Sequence, residues 1–362
     1  MVKRIVALDI YKALAAVMVI IIHVTATPIV TLTRGAAENV LIVVNKFSNP
    51  SVPMFVFASG LSLFFIYGNR GIVFGQFLKK RLPKILIPYL SWCVLYYAIY
   101  LYKGIYVFSA QTFLFNVLTG RMMYHLYFVV IIIQFYLVFG LIHFVVKSYS
   151  AKVILPLGLA INILATKVLP VSYMDRSFLT YFIYFLLGCY VAKNLEKATA
   201  LLYQYKILLT LGFLGLGGIY AYQFYEAQFL NISARFIPGA YGYISFCTVA
   251  ILFYYLLAMS IETASKPENK AIKTGLIRKG LLALSDGSYY IYLSHPLAII
   301  IAGSISARLG IAGVIDQMMV AFIVVGLTSV PLSILYAKLK SKGLYAKLKS
   351  KSQCINLKSK EE

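Results

Sequence analysis

Apolar stretches of about 16 to 25 residues recur from one end of this chain to the other, and nothing else in the sequence constrains its fold as strongly. A run of that length, coiled as a helix, crosses about 30 Å of hydrocarbon, where only a helix can satisfy its own backbone polar groups within one segment. Ten such spans are expected, at roughly 5–27, 50–67, 84–102, 124–146, 152–171, 178–193, 206–222, 239–261, 281–302 and 312–336. Residues Asn39 to Phe47 are expected to lie on the surface as a short amphipathic piece. With 61% hydrophobic and 12% charged residues, the chain carries about half the charge of a soluble domain. The reading is an all-α, polytopic integral membrane bundle. The first run follows Lys3 and Arg4 but lacks a good small-x-small cleavage site, so it reads as a retained span.

A net charge of +23 raises nucleic-acid binding as a possibility, and the positions of the charges argue against it. About 25 of the 34 basic residues fall on one side of the expected spans and about 8 on the other, which by the positive-inside rule makes both termini cytoplasmic. The chain divides into a bundle, 1–337, and a basic cytoplasmic tail, 338–362; "LYAKLKSK" occurs at Leu335 to Lys342, across that boundary, and again at Leu344 to Lys351. Anionic inner-leaflet lipids are the tail's expected partner, at about 1 kcal/mol per basic residue near the surface. The four cysteines are scattered singly and suggest neither a disulfide framework nor a metal site.

Ionisable groups inside spans are costly, so they mark candidate function. In "LDIYKALAAVMVIIIHV", Lys12 and His23 return to within about 20° of one helix face, roughly 16 Å apart along the axis. Asp9, three residues before Lys12, is placed to pair with it. Lys12 either snorkels to the surface or lines a path. His23 either bonds a neighbouring helix at the interface or serves as a general base. His125, at the outer start of the fourth expected span, either lines a site with His23 or belongs to an aromatic belt. Gln134 would then point away from it, and Tyr136 would lie below it on the same face. His143, near the inner end of that span, reads as a surface residue. Ser288, Tyr292 and His295 form an i, i+4, i+7 stripe before Pro296, which suits a cavity wall or a packing kink. The inner loop "FLKKRLPKILIPYL" packs four cations before a proline-led helix, for headgroup anchoring or for a phosphorylated ligand held by Arg81 and Lys84.

These segments, in this order, resemble acyltransferase family 3, polytopic membrane enzymes that modify cell-envelope glycans. The resemblance rests on Leu8-Asp9, Lys12 and His23 in the first span, "PMFVFASG" in the second, Arg81-Leu82-Pro83-Lys84 after it, and His125-Leu126-Tyr127-Phe128. "YFIYFLLGCY" and the closing "YLSHP" also match. Lysine stands for arginine at Lys12 and Lys84, which keeps the charge and loses the bidentate fork; tyrosine stands for tryptophan at Tyr127. The resemblance implies a plasma-membrane enzyme moving an acyl group, expected to be acetyl, from cytoplasmic acyl-CoA to a hydroxyl of an extracytoplasmic or lipid-linked glycan. No bound cofactor is expected, and acyl-CoA is a co-substrate. His23 and His125 are then the expected catalytic residues, with Lys12, Arg81, Lys84, Tyr292 and His295 lining the substrate path. A polysaccharide export permease is the alternative.

Overall fold

Near-continuous hydrophobicity leaves helices to pack through small residues and through side-chain hydroxyls rather than by excluding water. The computed structural model describes residues 4–32, 35–68, 70–167, 172–230, 239–265 and 272–343, and among them there is no strand. The helices are α1 (Val6–Val24), α2 (Pro28–Thr31), α3 (Ala36–Ser48), α4 (Ser51–Tyr67), α5 (Phe74–Tyr102), α6 (Ala110–Thr119), α7 (Tyr127–Ser148), α8 (Ala151–Lys167), α9 (Phe182–Lys193), α10 (Leu195–Gln204), α11 (Lys206–Tyr225), α12 (Gly239–Ala264), α13 (Ile272–Arg308) and α14 (Val314–Gly343). Eight described helical stretches are long and apolar enough to cross a membrane, and nine if α9 and α10, bent by 106° at their junction, form one span. Against the ten expected, α8, in the place of the fifth, is a shorter apolar helix over its described residues.

The helix α1 runs through the middle of the bundle, against α3, α4, α12 and α13. Its Ala7, Ala13, Ala15 and Ala16 are buried and let those neighbours approach closely. Helices α4 and α9 cross with their backbones in close approach. A Cβ added at Gly188 would stand 2.7 Å from the Leu61 nitrogen, so the two backbones touch and only glycine fits. Tyrosine hydroxyls tie distant segments to backbone carbonyls: Tyr89 donates to Val117, Tyr96 to Leu293 and Tyr289 to Ile85. In a medium without water, each such bond satisfies a hydroxyl that would otherwise be costly.

Two expectations are corrected and a third is refined. Residues Asn39 to Phe47 are part of α3, which packs one face against the bundle and leaves Val40, Val43 and Val44 exposed on the other. Ile42 and Asn45 are buried, and Asn45 Nδ2 donates to the Ile22 carbonyl at 3.1 Å and to Thr25 Oγ1 at 2.8 Å, closing the end of α1. The cations of "FLKKRLPK" do not precede a helix in a loop. They sit on the first turns of α5, which continues through Pro83 and Pro88. His143 is buried rather than superficial: its Nε2 lies 3.0 Å from the Tyr67 carbonyl at the end of α4, between the rings of Phe64 and Phe139. The orphan carbonyls at a helix C-terminus supply the polar partner that lets this imidazole go inside. The second "LYAKLKSK" repeat and the chain after it lie outside the described residues.

Candidate active site

Helices α1 and α13 pack along one another and meet through polar groups at two levels. At the first level Asp9 is buried, and Lys12 Nζ approaches its Oδ1 at 3.6 Å from one turn along the same helix. Arg4 is its closer partner, forking between the Asp9 carboxylate and Asp286 Oδ1, the latter at 2.9 Å. Ser285 Oγ donates to Asp9 at 3.3 Å. The carboxylate is thus held by two cations and a hydroxyl, which compensates its removal from water.

An interior cavity of about 330 Å³ begins at this level. Lys12, Arg81 and Lys84 stand at its basic end, with Ser59, Ser62 and Ser288 along its wall. Arg81 and Lys84 share a face of α5 because they are three residues apart. The apolar lining comes from Phe55, Leu63, Phe128 and Ile132, and Tyr292 lines the cavity beside Phe128, ring centres 5.4 Å apart. Such a space suits a ligand with an anionic head and a narrow, weakly polar arm, since cations gather at one end only.

Behind Tyr292 lie three imidazoles. The ring of His125 is 4.9 Å from that of Tyr292 and 5.2 Å from that of His295, and His295 stacks on His23 at 5.2 Å. The Tyr292 hydroxyl donates to the His125 carbonyl, so a residue that lines the cavity also fixes the segment carrying His125. His125 is not on a helix: it sits in the turn before α7. That turn is set by Gly120, whose φ of +67° favours glycine and whose Cβ, if present, would stand 2.6 Å from Tyr127 Cα. Among the described residues no hydrogen bond of ordinary geometry reaches the buried ring nitrogens of His125 or Nε2 of His295, although the Leu293 backbone lies beside the His125 ring. His295 Nδ1 lies 3.1 Å from the Ile291 carbonyl. A carbonyl only accepts, so Nδ1 carries the proton, and in the neutral ring Nε2 keeps its lone pair. His23 is half-buried and is the most accessible of the three. Although three imidazoles converge, no group of His, Cys, Asp or Glu among the described residues is placed to hold a metal ion.

Residues 5–338 match the family model of the acyltransferase domain, acyltransferase family 3. The chain belongs to that family. No curated protein and no solved structure gives a match. The acyltransferase is thus a multi-pass membrane protein whose whole bundle, rather than an appended part, carries the family signature.

All the site residues expected from sequence fall in two connected groups. Lys12, Arg81, Lys84 and Tyr292 line the cavity of the acyltransferase, His23, His125 and His295 form the cluster behind it, and Asp9 holds Lys12. Tyr136 lines the cavity, whereas Gln134 turns outward to bond the Arg176 carbonyl at 3.0 Å and the Phe178 nitrogen at 2.8 Å. Sequence reasoning missed Arg4 and Asp286, which complete the Asp9 network, and Tyr96, whose ring is 5.9 Å from His125. It also missed Tyr124, half exposed, with its ring 4.6 Å from His23. Ser59 lay inside the family-like "PMFVFASG" and was findable there, whereas one tyrosine among 30 carries no signal of its own.

Proposed function

We propose that this acyltransferase takes an acyl group, acetyl in the first instance, from cytoplasmic acyl-CoA and places it on a hydroxyl of an extracytoplasmic or lipid-linked cell-envelope glycan. The observation that carries the reading is the cavity with three cations at one end and a histidine cluster behind Tyr292. The Arg81 fork and the Lys12 and Lys84 ammonium groups suit the phosphates of CoA, and the narrow apolar throat suits its pantetheine arm. The excess of basic residues on this side supports a cytoplasmic donor. The glycan reaches the cluster from the opposite end, past Tyr124, where an exposed aromatic ring offers a face to a sugar.

In the transfer, His23 takes the proton of the acceptor hydroxyl as its oxygen attacks the thioester carbonyl. The C–S bond breaks, CoA leaves as the thiolate, and the proton held on His23 is released to it. His125 is the second base or orients the first, and His295 packs against both rings. A positioned general base contributes about 10² to 10⁴ in rate.

Purified protein given labelled acetyl-CoA and a candidate glycan tests this. The wild type is expected to label the glycan, and His23→Ala to lower kcat about 10²-fold or more with unchanged thermal unfolding. Transfer that survives His23→Ala overturns the base role. Glycan movement across vesicles without any acyl-CoA supports export instead.

A further inference from the structure

A second, larger cavity of about 870 Å³ lies on the outside of the bundle between α5, α13 and α14, apart from the acyl path except at Lys84, which lines both. Ile87, Leu332 and Tyr336 on its rim are more than half exposed, so the groove opens where acyl chains would surround the protein. Ordinary lipid-facing surface is apolar throughout, and this groove is not. Its floor carries a ladder of hydroxyls: Ser294 Oγ lies 2.5 Å from Ser329 Oγ and 3.3 Å from Ser333 Oγ. Ser329 belongs to a π-helical turn, Val325–Ser329, the kind of local rewinding that recurs at functional sites. One end of the groove is basic. Lys340 Nζ donates to the Tyr290 hydroxyl at 2.8 Å and lies 6.0 Å from the centre of the Tyr336 ring, with Lys84 lining the same groove.

We propose that this groove is a specific site for one anionic phospholipid, its phosphate between Lys84 and Lys340 and an acyl chain along Ile87, Leu297 and Leu332. The charge pattern decides the occupant: two lysines and a tyrosine hydroxyl at one end only, above a long apolar trough, complement a phosphate head on a hydrocarbon tail. A second copy of the chain would have to bring acidic groups to that end, and the chain has 11 acidic residues against 34 basic ones. A loosely attracted tail would bind any anionic surface. A built groove instead retains a lipid at one-to-one stoichiometry. Because Lys84 faces both spaces, an occupied groove also holds that side chain beside the mouth of the acyl path.

The test is native mass spectrometry of the full chain, purified from detergent and titrated with phosphatidylglycerol or, separately, phosphatidylcholine. One phosphatidylglycerol is expected to persist per chain where phosphatidylcholine is lost. Lys340→Gln is expected to lower the retained fraction about fivefold, the effect of one lysine beside a lipid phosphate. Leu332→Trp, at a lipid-exposed position that tolerates substitution, fills the trough and is expected to lower it further. Equal retention of the two lipids, retention unchanged in both variants, or a dimer that Leu332→Trp disperses overturns the proposal. None of these readouts involves acyl transfer, so the donor and acceptor assignments stand or fall separately.

Discussion

The two ends of the α1–α13 contact use ionisable groups in opposite ways. At the Asp9 end the charges that the two helices and the residue before them contribute are paired: Arg4 spans Asp9 and Asp286, and Lys12 approaches Asp9. At the His23 end, the rings of His23 and His125 each lie 5.2 Å from that of His295, with no salt bridge to any of the three among the described residues. The first arrangement satisfies its groups and supports the fold. The second leaves lone pairs unused in the interior, which costs stability and suits proton transfer. Within one region of contact, ionisable groups are thus paired at one end and left without counter-charges at the other.

That contrast predicts opposite outcomes for substitutions at the two ends. The largest effect is expected for His125→Leu, which should lower acyl transfer about 10²-fold while keeping or raising the melting temperature. Among the described residues no hydrogen bond of ordinary geometry reaches either ring nitrogen, so an apolar side chain of similar size removes a desolvated polar group without orphaning another. A variant that unfolds instead would place His125 among the structural residues. Next, Asp9→Asn should destabilise the protein by about 1–2 kcal/mol, read from thermal unfolding in detergent, because Arg4 and Lys12 then face each other without their shared anion. The loss should narrow as salt is raised, since the pair is only partly screened from water. The smallest effect is expected for Arg81→Lys, with charge kept and the fork lost. The KM for the acyl donor should rise several-fold with kcat unchanged, and a change in kcat alone would move Arg81 out of donor binding.

How much of this was legible depended on whether the physics was local. The Lys12–His23 stripe follows from helical periodicity within one segment, and so does the Ser288, Tyr292, His295 stripe; the structure has both helices. His143 misled because its depth along α7 says nothing about which neighbour covers it, and the end of α4 does. The cations at Arg81 and Lys84 read as a loop because proline is a helix breaker in water. Inside a bundle, neighbouring groups re-satisfy the carbonyl that proline leaves free. Tyr124, Arg4 and Asp286 went unseen because their significance lies wholly in contacts across the chain.

By itself, the sequence determined that this protein is an all-helical membrane bundle, which residues inside it are costly there, and which family segments it carries. Each of these follows from hydropathy, spacing and residue type along one dimension. Only the tertiary structure decided that His23, His125 and His295 meet, that Tyr292 stands between them and a cavity with cations at its far end, and that an outer groove shares Lys84 with that cavity. The physical reason is that these contacts join residues more than a hundred positions apart, brought together by the burial of α1 against α13 and by the left-handed turn at Gly120. No local periodicity encodes either event.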